Sequence, residues 1–305
     1  MKVLVTGAAG FVGPHLINEL INAGHAPIAV INTKEKPRRD IKTHRCNLLN
    51  PNDVSKIDFN NIDAVIHLAG LAATGLSFEK PMDYINTNIG IEINLFEAAL
   101  KQEARPKFLV ISSGALYDPR EKLPLDETSK TVPSSPYAVS KIGQEQMAHY
   151  YGIRGFEYII ARPFNHMGPG QGEGFIVPDL AKQVVEAEKG LIKEIRVGNL
   201  EAKRDYTDVR DIVRAYRLLA EKGKSGETYN ICSGISYSGQ QILNSLLASG
   251  KVKIKITQDQ SRMRPSDTPN IYGDHSKLTK DTGWDPIIKF EQTLRDALVD
   301  WRTKI

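Results

Sequence analysis

Apolar residues in the first half of the chain fall in short strand-like runs, separated by stretches with helical spacing. Val3–Val5 predicts a buried strand, and Val12, Leu16, Leu20 and Ala23 mark one face of a helix, broadened by Ile17 and Ile21. Gly24 is a natural stop for that helix. Pro27–Ile31, Asp63–His67 and Phe108–Ile111 predict further strands, with a helix over about Met82–Glu103. Tyr137–Tyr151 reads as a helix and Glu157–Ala161 as a strand. Short apolar strands alternating with helices predict a parallel sheet covered on both faces.

Beyond Arg162-Pro163 the alternation lapses. The segment NHMGPGQGEG at 165–174 has four glycines in ten residues and reads as a loop. Helices are expected near Val177–Lys189, Val209–Glu221, Ser238–Ala248 and Phe290–Arg302, with strands near Ile195–Gly198, Thr228–Ile231 and Val252–Ile256. The expected division is a nucleotide-binding domain over 1–164 and a smaller substrate-binding portion over 165–305. Some segments of the second part are expected to return to the first sheet.

Length and composition narrow the classes. A chain of 305 residues can bury a large core, and no run approaches 18 uninterrupted apolar residues, so no membrane span is expected. The N-terminus enters a strand directly, without a secretory pattern, and cytoplasmic residence is expected. Cys46 and Cys232 allow one disulfide but neither a cysteine-rich scaffold nor a four-thiolate zinc site. Forty basic residues against 36 acidic leave a formal charge of +4, too weak a bias to suggest a nucleic-acid partner. The densest basic cluster, KEKPRR at 34–39, suits either a solvated loop or phosphate contact.

Chemistry enters at the first strand–helix junction, GAAGFVG over 7–13. Gly7 and Gly10 permit a tight turn passing close to a pyrophosphate, and Gly13 lets the helix approach the sheet. Backbone amides around Phe11 and Val12, at the helix N-terminus, can meet phosphate oxygens. An acidic residue at the end of the next strand would favour NAD by accepting from the ribose 2′-hydroxyl. The chain instead has Asn32, with Lys34 two residues on, which leans the expectation toward NADP without excluding NAD. Leu68, Ala69 and Gly70 follow the Asp63–His67 strand as cofactor-binding candidates, and the small Ala69 and Gly70 let a cofactor pass close to the sheet. His67 has no spaced partners that specify a metal and is expected to be a packed, hydrogen-bonded histidine; no metal site is expected. Asn88, in the next helix, either bonds within its helix or orders the site indirectly.

Ser112-Ser113 stands at the end of the Phe108–Ile111 strand, where open α/β sheets place ligands. Tyr137 and Lys141 are spaced i,i+4 and share a helix face. A nearby ammonium is expected to favour tyrosinate. Ser113, Tyr137 and Lys141 together suit carbonyl reduction, with hydride delivered to carbon and the phenol's proton to oxygen.

With these motifs in view, GAAGFVG, HLAG, SSGALY and YAVSK resemble the extended short-chain dehydrogenase/reductase family across essentially the whole chain. The resemblance implies an NAD(P)-binding Rossmann fold with a parallel sheet and a smaller, partly interleaved C-terminal domain that binds a nucleotide sugar. It also implies the Ser113–Tyr137–Lys141 catalytic set, a nicotinamide-ribose contact for Lys141, and a homodimer formed through helices that include the catalytic one.

The later segments RPFNHMGPGQGEGFIVP, GNLEAKRDYTDVRD and RMRPSD resemble the GDP-mannose 4,6-dehydratase and GDP-6-deoxy-4-keto-mannose reductase branch. That resemblance implies that Asn165 and Arg204 hold the diphosphate–ribose region and that Arg264 contacts phosphate. Gly198, Asn199 and Leu200 would lie near guanine, with Val177 and Pro178 lining the nucleotide site. Arginine forks suit diphosphate oxygens, although either arginine taken alone reads more readily as a surface or ion-pair residue.

One departure bears on the reaction. Dehydratase relatives carry a glutamate in a TSELY-like segment, and this chain has Ala115 at that place. An alanine methyl cannot move the proton that dehydration across C5–C6 requires. The expected reaction is therefore NAD(P)H-dependent reduction of the C4 keto group of GDP-4-keto-6-deoxy-D-mannose, giving GDP-D-rhamnose. The alternatives are a nucleotide-sugar 4-epimerase, a dTDP-4-keto-6-deoxy-sugar reductase and a nucleotide-binding regulatory protein without turnover.

Overall fold

The computed structural model describes residues 1–32, 40–262 and 269–305. Lys34 and Arg264 lie outside the described residues, as does the whole KEKPRR cluster. In chain order the first part comprises β1 (Lys2–Thr6), α1 (Val12–Asn22), β2 (Ala26–Ile31), β3 (Lys42–Arg45), α2 (Pro51–Val54) and β4 (Ala64–His67). Next come α3 (Thr74–Glu79), α4 (Pro81–Lys101), β5 (Lys107–Ile111), α5 (Pro136–Ile153), β6 (Tyr158–Pro163) and β7 (Asn165–Met167). They are followed by α6 (Ile176–Glu188), β8 (Glu194–Val197), β9 (Lys203–Asp208), α7 (Val209–Lys222), β10 (Thr228–Ile231) and β11 (Ser236–Ser238). The chain closes with α8 (Gly239–Gly250), β12 (Lys255–Gln258), β13 (Asn270–Ile271), α9 (Ser276–Thr282) and α10 (Phe290–Lys304).

Seven parallel strands form the main sheet in the order β10-β6-β5-β4-β1-β2-β3. The direction of winding reverses between β1 and β4. A crevice therefore opens at the carboxyl ends of those two strands, which is where a doubly wound sheet accepts a ligand. Apolar clusters cover both faces. One includes Val3, Val5, Leu16, Leu20 and Leu109, the other Leu4, Val65, Leu95, Phe96 and Phe108.

Two elements late in the sequence complete this first body. β10 pairs in parallel with β6, and Ile212, Tyr216 and Leu219 of α7 are buried in the cluster that covers α1. Each such buried side chain stabilises the docking by about 1.5–3 kcal/mol relative to exposure. A separate core gathers Val177, Leu180 and Val184 of α6 with Ile242 and Leu246 of α8 and Leu294 and Trp301 of α10.

Several elements differ from expectation, each for a local reason. β3 reads KTHR and β9 reads KRDYTD, so neither carries an apolar run. β3 is a partly exposed edge strand. β9 buries Asp205, Thr207 and Asp208, and Asp205 is satisfied by Ser233 and by the backbone amides of Gly234 and Gly273. The strand expected at Val252–Ile256 begins only at Lys255. Val252 N still donates to Leu247 O, and Lys251 takes a left-handed conformation (φ 53°) that ends α8. Cys46 and Cys232 are both buried free thiols, so the disulfide the count allowed is not formed.

Candidate active site

The turn after β1 folds on itself before α1 begins. Gly7 has φ 65°, and a Cβ there would lie 2.9 Å from Ala69 N, so the turn and the loop after β4 touch backbone to backbone. A Cβ on Gly10 would come 3.2 Å from Gly7 O. Gly13 departs from its expected role, because a Cβ there would strike the Ala8 carbonyl rather than the sheet. What remains is a close backbone rim ending at the α1 N-terminus, where Pro14 has no N–H and the Phe11, Val12 and Gly13 amides are the donors. Such a cradle fits a dinucleotide pyrophosphate. The Phe11 ring lies parallel to the His166 ring (6° between planes, centroids 6.0 Å apart), bringing the cradle against β7.

Thr6 and His67, at the ends of β1 and β4, close the floor of the crevice. Thr6 Oγ1 lies 2.8 Å from His67 Nδ1 and accepts from Ala69 N at 3.1 Å. Burial, reinforced by the Lys141 charge, pushes the imidazole down to about 3, so it stays neutral. Gly70 and Leu71 are then gripped by Asn88 of α4. Its Oδ1 accepts from Leu71 N at 2.7 Å, and its Nδ2 donates to Leu71 O at 3.1 Å and to Ser140 Oγ at 2.8 Å. Asn88 therefore bonds outward rather than within its own helix, linking the β4 loop to α5.

Helix α5 starts with an N-cap and a proline. Ser135 Oγ accepts from Ala138 N at 3.1 Å and Pro136 occupies the first turn, which sets the phase that turns Tyr137 and Lys141 inward. Both are 8% exposed. Ser113 Oγ, at the end of β5, accepts from Ala115 N at 3.1 Å, and its hydroxyl draws the Tyr137 phenol down. Lys141 Nζ donates to Ile111 O and to Gln144 Oε1, both at 2.8 Å, and stands 5.9 Å from the Tyr137 ring centroid.

Burial raises the Tyr137 phenol above its ordinary value, with Ser113 lowering it and Tyr84 raising it. The phenol of the resting site is therefore protonated at neutral pH, as a proton donor must be. Burial brings Lys141 down to about 8, against the raising effect of Glu92 and Glu145.

Sequence reasoning missed the buried network beneath this trio. Ser112 Oγ donates to Glu145 Oε1 at 2.5 Å, and Arg162 grips Glu145 with Nε at 2.8 Å and Nη2 at 2.7 Å. Arg162 Nη1 also donates to Tyr117 Oη at 3.1 Å, and Tyr117 donates to Asn230 Oδ1 at 2.7 Å. The bidentate pair fastens α5 to β6 and so fixes the height of Tyr137 and Lys141 above the sheet. A charged residue four places after Lys141 was the available signal, but its partner is set only by strand order.

The remaining expected residues are more dispersed. Asn32 is exposed at the end of β2. Asn165 is exposed on β7, and β7 pairs with β9, which carries Arg204. Alternation along β9 turns Asp205 inward and Arg204 outward, where its Nη1 donates to Lys203 O at 2.8 Å. Val177 and Pro178 are buried at the start of α6, with Val177 inside the C-terminal core, so their side chains face the protein interior. Gly198 abuts the Arg262 carbonyl, Asn199 Oδ1 accepts from Glu201 N at 2.9 Å, and Leu200 O accepts from Gln240 N at 3.0 Å. A cavity of about 630 Å³ is lined by residues of α6 and β8 and by Arg262, and none of Ser113, Tyr137 and Lys141 borders it.

A doubly wound sheet with this glycine turn and this serine–tyrosine–lysine grouping defines an extended short-chain dehydrogenase/reductase. Within that class the chain belongs to the GDP-mannose 4,6 dehydratase family, whose model matches residues 4–297. It is 35% identical to GDP-6-deoxy-D-mannose reductase of Pseudomonas aeruginosa, over all of this chain and 98% of the relative. It is 32% identical to GDP-6-deoxy-D-talose 4-dehydrogenase of Aggregatibacter actinomycetemcomitans, over 93% of this chain and 92% of that protein. The solved structure of RMD from Pseudomonas aeruginosa complexed with NADPH superposes with a TM-score of 0.90 at 34% identity, covering 100% of both chains.

Proposed function

We propose that this chain reduces the C4 keto group of GDP-4-keto-6-deoxy-D-mannose with NADPH, giving GDP-D-rhamnose. The observation that carries this reading is Ser113 at the end of β5 facing the buried Tyr137 and Lys141 of α5, with Ala115 exposed beside it. Ser113 and Tyr137 can hold and protonate a carbonyl oxygen, while the alanine offers no group for dehydration. Full-length similarity to a GDP-6-deoxy-D-mannose reductase supports the same substrate class.

Residues 1–164 would hold the cofactor, with β10 and α7 completing that body, and 165–305 would hold the nucleotide sugar. The Gly7–Gly13 rim and the α1 amides would take the pyrophosphate, flanked by Leu68, Ala69 and Gly70. Asn32, a neutral amide, would face the adenosine ribose, which suits NADPH and tolerates NADH. A bound NADPH supplies the hydride. Ser113 donates to the sugar carbonyl oxygen and orients it. Tyr137 transfers its phenolic proton to that oxygen, and the Lys141 ammonium stabilises the phenolate left behind. Asn165 and Arg204, projecting from the β7–β9 sheet, would bind the diphosphate–ribose region; Gly198, Asn199 and Leu200 would border the base, with the backbone at Val177 and Pro178 beside them.

An apolar stripe of Val139, Tyr150 and Ile153 on the outer face of α5 supports a homodimer. No helix of the described residues is long and apolar enough to cross a membrane. The two free thiols accord with cytoplasmic placement.

Similarity to the talose 4-dehydrogenase gives a specific second outcome, delivery of hydride to the opposite face of the sugar. The deciding experiment generates the 4-keto sugar in situ and supplies NADPH and NADH separately. Expected are loss of reduced-cofactor absorbance, faster with NADPH, and a rhamno product by NMR. A talo product selects the second outcome. No cofactor consumption, with interconversion of a nucleotide hexose and its 4-epimer instead, would replace the reductase by an epimerase.

A further inference from the structure

We propose that the buried Glu145–Arg162 ion pair is a positioning device for Ser113. It grips residues on both sides of that serine and fixes the serine hydroxyl against the helix that carries Tyr137 and Lys141. The proposal rests on reading Ser113 and Tyr137 as the groups that hold and protonate the substrate carbonyl.

Tyr137, Lys141 and Glu145 are spaced i, i+4, i+8 and form one buried row along α5. That row is fastened to consecutive residues at the end of β5. Lys141 Nζ donates to Ile111 O at 2.8 Å, and Ser112 Oγ donates to Glu145 Oε1 at 2.5 Å. A slip of α5 along its axis breaks both contacts. Ser113 comes next along the chain; it is half-buried, with its Oγ accepting from Ala115 N.

A second grip lies beyond Ser113. Arg162 of β6 spends Nε and Nη2 on Glu145, at 2.8 and 2.7 Å, and its Nη1 donates to Tyr117 Oη at 3.1 Å. Tyr117 Oη donates onward to Asn230 Oδ1 at 2.7 Å. Every donor in the network therefore faces an acceptor, and Ser112, Tyr117, Glu145 and Arg162 are all buried. Between the two grips the chain turns once and is pressed onto Phe164, just past the end of β6. A Cβ on Gly114 would lie 2.8 Å from the Phe164 ring, and the Tyr117 and Phe164 rings lie 25° from parallel with centroids 6.1 Å apart.

A buried ion pair contributes little net stability, because desolvation offsets its attraction, so stability alone does not account for this one. What the pair fixes is geometry. The orienting hydroxyl and the proton donor stand on different elements, β5 and α5, and one carboxylate is bonded to both. Misplacing a reacting group by about 1 Å can cost on the order of 10²-fold in rate. Glu145 and Arg162 act through Ser113, from beneath the site.

The test uses Ser112→Ala and Tyr117→Phe, each of which cuts one grip by deleting a single hydroxyl and leaves the ion pair whole. In the NADPH-bound enzyme each should lower kcat for the 4-keto sugar by about ten-fold or more, with KM within about two-fold. Both are repeated in a Ser113→Ala background, where the grips have nothing left to position; there the loss should shrink to under about two-fold. A merely structural role lowers the unfolding midpoint and gives the same kcat change with and without Ser113. Wild-type kcat in either variant, or a loss that Ser113→Ala does not reduce, overturns the proposal. Ser112→Ala carries this comparison if Tyr117→Phe does not fold.

A readout without turnover is the Ser113 β-carbon resonance in ¹³C-serine-labelled enzyme, assigned by its loss in Ser113→Ala. It should shift or broaden in Tyr117→Phe and in Glu145→Gln, which keeps the side-chain shape and breaks the bidentate grip. The resonance of Ser238, the N-cap of α8, should stay in place. An unmoved Ser113 resonance overturns the proposal. A wild type that binds NADPH yet reduces nothing defeats the functional reading, and this resonance still decides the positioning.

Discussion

Asn88 Nδ2 donates to Ser140 Oγ at 2.8 Å, and Ser140 Oγ donates to the carbonyl of Tyr137 at 2.7 Å. Through these two bonds the loop after β4, which borders the cofactor cradle, is held in register with the helix that carries the phenol and the ammonium.

Asn88→Ala should therefore damage both stability and turnover. It removes the hydrogen bonds to Leu71 N and O and to Ser140 Oγ, each contributing about 0.5–1.5 kcal/mol. Urea denaturation should show that loss. NADPH affinity and kcat should fall together, because loop and helix lose the same clamp. A variant with wild-type kcat and lowered stability only would limit Asn88 to a structural role.

Tyr137→Phe tests the proton donor. The ring stays packed against Tyr84, edge to face at 6.4 Å, so the fold and NADPH binding should persist. Reduction of the 4-keto sugar should fall by about 10²–10⁴-fold, the range expected on loss of a general acid. Near-wild-type turnover would reject Tyr137 as the main donor.

Gly7→Ala and Gly24→Ala separate backbone strain from loss of the cradle. Both glycines have positive φ, 65° and 78°, so each substitution should cost about 1–2 kcal/mol in thermal or chemical unfolding. A Cβ at Gly24 meets open space, whereas at Gly7 it meets Ala69 N at 2.9 Å. NADPH titration calorimetry should find affinity reduced at least about ten-fold by Gly7→Ala and unchanged by Gly24→Ala. Equal affinities in the two variants would dissociate the turn from cofactor binding.

His67 predicts an acid-sensitive fold. Its folded-state value is about 3 against the ordinary 6.5, so between those pH values the unfolded chain binds a proton that the folded chain refuses. Stability should fall as pH drops through that window, by about 1.4 kcal/mol per pH unit from this residue. His67→Gln cannot take that proton. Its urea-derived stability, followed from pH 6 to pH 4, should decline less steeply than the wild type's by about that slope. Parallel declines would mean that His67 is protonated in the folded protein.

The amino-acid sequence by itself determined the elements whose periodicity is local. The β1–turn–α1 unit, the strands at 64–67 and 107–111, and the i,i+4 pairing of Tyr137 with Lys141 follow from spacing along one segment. Tertiary structure decided what needs a partner from another segment. The polar strands β3 and β9 exist because neighbouring strands and loops satisfy them, and β10 and α7 join the first sheet because their apolar faces complete a core begun two hundred residues earlier. It also decided the charge state of the site. Spacing places an ammonium near a phenol, but burial raises the phenol and hands the ammonium to Ile111 O and Gln144. Nothing in the spacing along the chain singles out Glu145 and Arg162 as a pair. Their roles arise because desolvation depends on packing in three dimensions, and an ion removed from water must find its partner across helices and strands.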